Sequence, residues 1–299
     1  MRVFALWTAL AGLLPSTVAL GAPKAGPQLD QARIEQLTGA KGKLDEKAGV
    51  FKVSAPRTDL KVTSGGVHIT PPMGLTSWAA FTRSGNHTTV MGDIVLTEDQ
   101  VNPVMSAALD SGLEVTALHN HFYWEEPRLA YMHVHGHGDP MDLARRVKPA
   151  LDLIGKGAPP AAAAPAGAAP PPALDGAKLA AIVGTAGVQT GAVYKITLAR
   201  PDLKITEMGA PINSRMGLNT WASFVGTNDK AAIAGDIAMK AAEITPVLKA
   251  LRAHGLSVVA IHQHMTTTDP TIFFLHYWGT GPAADLATGF KAAVDQTGK

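Results

Sequence analysis

Hydrophobic and polar positions alternate along Val50-Phe51-Lys52-Val53 and again along Leu60-Lys61-Val62-Thr63, the period of two expected of half-buried strands. Residues 77–82 and 89–96 read as two more strands around a Ser84-Gly85-Asn86 turn. A helix is expected over 103–109: Asn102 suits its cap, Pro103 its first position and Gly112 its stop. An earlier start, at Thr97, fits the pattern as well. Residues 113–122 and 129–134 form a hairpin of strands in this reading, 143–153 a closing helix, and 31–37 and 177–183 short opening helices. The succession predicts an α+β fold, a largely antiparallel sheet with helices on one face.

The pattern occurs twice. Met73-Gly74-Leu75 and Trp78-Ala79 recur as Met216-Gly217-Leu218 and Trp221-Ala222, an offset of 143 that holds without a gap from Arg57/Arg200 to Lys156/Lys299. Gly92-Asp93-Ile94 returns as Gly235-Asp236-Ile237, and His119, His121 and His133 return as His262, His264 and His276. One register sustained this long is a duplication. Residues 157–172 between the copies are almost entirely Pro, Ala and Gly, a composition that favours extended conformers and cannot bury a core. The expected organisation is a first repeat domain over 30–155, a linker over 156–173 and a second repeat domain over 174–299.

The N-terminus changes the picture of where the protein works. Arg2 precedes an almost wholly apolar run over 3–14, and Ala19 and Gly21 place small residues before a cleavage point after Gly21. Residues 1–21 therefore read as a signal peptide, the alternative being a retained anchor that is short for a membrane span. The expectation is an exported, periplasmic or secreted protein with no transmembrane segment in its mature form. Among 299 residues there is no cysteine, which excludes disulfides, thiolate metal sites, cysteine nucleophiles and an acylated lipoprotein cysteine. A formal net charge of +2 and the lack of basic clusters speak against nucleic acid. No serine elbow, phosphate-cradling glycine loop or dinucleotide fingerprint is present.

The candidate chemistry lies in the histidine hairpin. If odd positions pair with odd across the turn at Glu125-Glu126-Pro127, then His119, His121 and His133 converge on one face; a one-residue slip separates them. Three neutral imidazoles with an open fourth position would suit zinc or another divalent transition metal. The expected ligands are His119, His121 and His133 in one copy and His262, His264 and His276 in the other, with Asp93 and Asp236 as additional ligands or, more simply, as hydrogen-bonding groups. Glu125 and Glu126 could also contribute, although the second copy has Thr268 and Asp269 there. The competing reading is a structural one, with histidines that only hydrogen-bond on a sheet. Trp78 and Trp221 read as core packing in preference to ligand stacking, Gly92 and Gly235 as backbone requirements such as a bulge. His135 and His137, either extra ligands or solvated polar residues, read more simply as the second, and His68, His87 and His254 as surface residues.

Gly92-Asp93, Asn102-Pro103-Val104, Leu113 to His121 and His133-Val134-His135-Gly136-x-Gly138 resemble the LppY/LpqO family of exported bacterial proteins, a domain of unknown function. His276-Tyr277-Trp278-Gly279-x-Gly281 resembles it more closely still. The resemblance implies export and no activity, and the missing cysteine departs from its lipoprotein members. His-x-His on one strand with a histidine on the next is similar to the zinc hairpin of acetolactate decarboxylase, a likeness confined to that hairpin. Three functions stay open: a metalloenzyme of hydrolase or lyase type, a protein that binds a metal or small ligand, and a structural cell-envelope module. The partner is an unknown small molecule or an envelope component.

Overall fold

The computed structural model describes residues 29–155 and 174–298. The expected signal peptide over 1–21 and the linker over 156–173 lie outside them. In the first copy the strands are β1 (Lys41–Asp45), β2 (Val50–Pro56), β3 (Val62–Ser64), β4 (Val67–Ile69), β5 (Thr76–Ser84), β6 (His87–Thr97), β7 (Glu114–His119), β8 (Glu125–Glu126) and β9 (Leu129–Gly138). The helices are α1 (Gln31–Thr38), α2 (Glu98–Asp110) and α3 (Pro140–Leu153). The second copy repeats the plan with β10 (Val188–Thr190), β11 (Val193–Ala199), β12 (Ile205–Glu207), β13 (Ala210–Ile212), β14 (Asn219–Gly226), β15 (Ala231–Lys240), β16 (Ser257–His262) and β17 (Ile272–Gly281). Its helices are α4 (Gly176–Val183), α5 (Ala241–Ala253) and α6 (Ala283–Val294).

Each copy builds a six-stranded sheet, in the orders β1-β2-β5-β6-β9-β7 and β10-β11-β14-β15-β17-β16. Neighbouring strands are antiparallel throughout, so the α+β class stands. On one face Phe81, Val90, Ile94, Met132 and Val134 pack with Val104, Leu143 and Val147 of the helices, and Phe224, Ile233 and Leu275 do the same in the second copy. The other faces meet each other. Val50, Ala80 and Met91 share a cluster with Leu203, Ile205, Met216 and Leu218, and Val62, Met73 and Val95 share one with Ala232, Ala234 and Trp278. The result is four layers, helices–sheet–sheet–helices, in which each sheet is buried on both sides. That burial accounts for β6, where every residue from Thr88 to Leu96 is buried.

Two local features fix the ends of the central strands. Helix α2 takes the earlier start: Gln100 Oε1 accepts from the Thr97 backbone N–H at 3.1 Å, so Thr97 caps it, Asn102 does not, and Pro103 falls inside the helix. Buried Arg57 ties the loop after β2 to the β6–α2 junction, donating to the Val95 carbonyl at 2.6 Å, to Gln100 Oε1 at 3.1 Å and to Asp59 Oδ2 at 2.9 Å. Arg200 repeats the clamp on the Ala238 carbonyl, Asp202 and Glu243. No helix among the described residues is long and apolar enough to cross a membrane.

Candidate metal centre

The hairpin register is odd with odd where it matters: Ala117 faces His133 and His119 faces Tyr131. A bulge makes it so. Before it Val115 pairs with Val134, after it Ala117 pairs with His133, and the extra residue switches the faces of the strand. Val115 therefore packs with the helix-side core instead of sharing a face with His119. The bulged Thr116 reaches across the copies, its Oγ1 donating to the His264 carbonyl at 2.9 Å. The same shift recurs between Val258 and Ala260.

Ladder pairing then sets one row across five strands. Ser54, Trp78, Asp93, His133 and Ala117 are successive partners in the first copy, and Thr197, Trp221, Asp236, His276 and Ala260 in the second. Both rows face the space between the sheets. His119 and His262 end their strands there, and His121 and His264 come two residues later, in the loops. Gly92 and Gly235 let β5 and β6, and β14 and β15, close up. A Cβ on Gly92 would lie 2.8 Å from the Trp78 carbonyl, and one on Gly235 would run into the Trp221 carbonyl and the Tyr277 hydroxyl. The glycines of the repeated Met-Gly-Leu motif sit at φ 119° and 98°, and a Cβ on either would lie 3.3 Å from Nδ1 of His121 or His264.

The six histidines are all buried and form one cluster shared by the copies. His119 stacks on His262 at 3.8 Å between ring centres, His121 lies 3.9 Å from His276, and His133 lies 4.0 Å from His264. Three groups have ligand atoms within 4.8 Å of one another: His119, His133 and His262; His119, His121 and His276; Asp236, His262 and His264. Two of these groups mix the copies, so a copy-by-copy grouping is not the one the geometry forms.

Tautomers are set by the backbone. His133 Nδ1 lies 3.2 Å from the Gly92 carbonyl and His276 Nδ1 3.0 Å from that of Gly235. A carbonyl only accepts, so each Nδ1 carries the proton and each Nε2 presents a lone pair. Those two Nε2 atoms, with Nε2 of His119 and His121 and Oδ1 of Asp93 and Asp236, are buried without a hydrogen-bond partner. His121 Nε2 lies 3.6 Å from Asp93 Oδ2, and His264 Nε2 3.6 Å from Asp236 Oδ2.

Burial is the first cause of every ionisation shift here. It pushes His133 and His276 down to about 3 and holds His119, His121, His262 and His264 well below the ordinary imidazole value, neighbouring histidines adding to the effect for those four. It raises Asp93 to about 7 and Asp236 to about 8. At neutral pH the cluster is six uncharged imidazoles with two carboxyl groups poised to ionise.

Above it opens a cavity of about 880 Å³, lined by matched residues of both copies, among them Lys52 and Lys195, Trp78 and Trp221, Asp93 and Asp236, His121 and His264, and His133 and His276. Trp78 and Trp221 are thus cavity walls with lysines over them, Lys52 Nζ 3.4 Å from one ring centre and Lys195 Nζ 3.8 Å from the other. Trp78 also packs against the hydrophobic cluster between the sheets, so core packing is only part of its role. The lysines escape a reading that takes the polar face of a strand for a solvent face. Their signal was present, since Val50-Phe51-Lys52-Val53 and Val193-Tyr194-Lys195-Ile196 keep the same offset of 143.

The remaining candidates separate clearly. His135 is fully buried with Nδ1 3.8 Å from Glu207 Oε1, because its strand is covered by the second copy; it is not a solvated residue. His137, His68, His87 and His254 are exposed. Glu125 braces the loop after β7, its Oε1 accepting from Asn120 at 3.2 Å and from the Leu129 N–H at 3.4 Å.

Residues 32–153 and 177–296 each match the family model described as Domain of Unknown Function (DUF1259). No curated protein matches the chain. Solved structures similar to it include a fused permuted hexameric shell protein from the RMM microcompartment, at 16% identity and TM-score 0.18, over 72% of this chain and 86% of that one. A trimeric bacterial microcompartment shell protein, PduB, is 13% identical with TM-score 0.21, over 85% and 90% of the two chains. EtuB from Clostridium kluyveri is 11% identical with TM-score 0.20, over 90% and 93%. Overlap this loose leaves the site to be read from its own residues.

Proposed function

The chain belongs to the family described as Domain of Unknown Function (DUF1259), and within it we propose a metal-binding protein whose divalent transition-metal centre, zinc or a similar ion, is assembled jointly by the two copies. One observation carries this reading: buried imidazole nitrogens and carboxylate oxygens from both copies converge without hydrogen-bond partners. Each orphaned buried group costs about 1–3 kcal/mol, and a cation satisfies several of them together. The backbone-held Nδ1–H of His133 and His276 is the arrangement that orients a ligating imidazole. Burial raises Asp93 and Asp236 to about 7 and 8, and a cation beside them favours the ionised form.

Two of the groups share no residue, His119 with His121 and His276, and Asp236 with His262 and His264; up to two ions per chain are expected. A metal exposed to the cavity lowers the pKa of its bound water, the property that hydrolase- or lyase-type chemistry would use. The resemblance to the LppY/LpqO proteins and the charged-apolar-small pattern over 1–21 support an exported site of action.

The test is metal content of purified protein and its zinc affinity against a chelator. Retention or uptake of one to two ions per chain supports the centre. A chain that carries no zinc, copper, nickel or iron and takes up none leaves the second reading, a structural envelope module. The stacked His119–His262 pair at 3.8 Å is the observation on that side.

A further inference from the structure

The cavity over the histidines carries positive charge that the metal reading does not use. Lys52 on β2 and Lys195 on β11 occupy the same position in the two copies and both line it. Each ammonium is seated against an indole face at 3.4 and 3.8 Å, an attraction that holds the charge in place. Neither lysine has an ion-pair partner among the described residues. Arg215 lines the same cavity, 3.3 Å from Asp45, and repels Lys52. The two acidic groups of the cavity, Asp93 and Asp236, lie beside His121 and His264. Asp93 attracts Lys52 and Asp236 attracts Lys195 without forming an ion pair, which leaves two ammonium groups in the cavity with no direct salt-bridge partner, a place that an entering anion can take.

We propose that this cavity binds a small organic anion, its carboxylate held by the Lys52 and Lys195 ammonium groups and the rest of the molecule in the space over the histidines. The volume, about 880 Å³, lies in the range of small-molecule sites. One lysine comes from each copy, so a single anion draws on both. This goes beyond the metal reading, since neither lysine is a metal ligand, and the two fail separately.

The experiment is calorimetric titration of the full chain with succinate as the probe, in metal-free and zinc-treated protein. Saturable binding is expected, weakened about tenfold or more by Lys52→Gln or Lys195→Gln. Lys52→Arg should recover part of the loss, and Lys61→Gln, at an exposed position, should leave binding unchanged. Zinc uptake and the unfolding midpoint, measured in parallel, show that each variant is folded. Succinate binding without zinc binding defeats the metal centre and upholds the anion site. Unchanged affinity in a folded variant carrying both Lys52→Gln and Lys195→Gln, or no binding by wild type in either form, overturns it.

Discussion

Gly235→Ala probes the backbone on which the site is hung. The added methyl would run into the Trp221 carbonyl and the Tyr277 hydroxyl. The carbonyl cannot yield, because Trp221 and Ala222 pair with Asp236 and Gly235 in the β14–β15 ladder. The hydroxyl donates to that same carbonyl at 3.1 Å, so the methyl must also break a buried hydrogen bond. Overpacking costs about 1–3 kcal/mol and the stranded hydroxyl about 1–3 kcal/mol, roughly 2–6 kcal/mol together. At about 2–4 °C per kcal/mol for a chain of this size, the unfolding midpoint should drop by about 4–24 °C. Gly92→Ala is the internal comparison. There the nearest atoms are the Trp78 carbonyl at 2.8 Å and a Val134 methyl at 3.0 Å, and a methyl can turn aside, so about 1–2 kcal/mol is expected. Since Gly235 also accepts from His276 Nδ1, Gly235→Ala should weaken zinc binding too. The assay is thermal and urea unfolding of both variants, repeated in a Tyr277→Phe background, where part of the Gly235→Ala penalty should vanish. If Gly235→Ala costs no more than Gly92→Ala, the close approach argued for the second copy is wrong.

The shared cluster has two other testable consequences. His276→Ala, although in the second copy, should weaken the ion held by His119 and His121 by about 10–100-fold or more, seen by chelator competition; an effect confined to one ion held by the second copy alone would disprove the joint arrangement. Metal-free protein should lose stability in acid. Seven buried histidines lie below their ordinary values in the fold, so unfolding takes up protons and stability falls below about pH 6.5. Asp93, Glu125 and Asp236, raised to about 7, 7 and 8, act oppositely: their contribution is full in acid and lost as pH rises through about 7–8. Urea midpoints across this range decide, and a profile flat below about pH 6.5 would contradict the burial of uncharged histidines.

The duplication, the antiparallel order and the strand positions were legible because a period of two and a fixed offset of 143 are local and repetitive. The convergence of His119, His121 and His133 was legible only up to its register, which the bulge at Thr116 decides. What escaped was the pairing of the two sheets. Alternation in Val50-Phe51-Lys52-Val53 looks the same whether the polar face meets water or a cavity, so nothing in it marks Lys52 and Lys195 as cavity residues or Trp78 and Trp221 as the walls beside them. His135 was misjudged for the same reason: its burial against Glu207 comes from the other copy, and no pattern within one copy carries that contact. Helix α2 begins at Thr97 because Gln100 completes the cap, a signal stronger than Asn102-Pro103.

Anomalous diffraction at the zinc edge from zinc-loaded crystals tests the central claim most directly. The account predicts density among His119, His121 and His276 and among Asp236, His262 and His264, with zinc–nitrogen distances of about 2.0–2.1 Å. An empty cluster in zinc-saturated crystals, or zinc found only at exposed His68, His87 or His137, would contradict it.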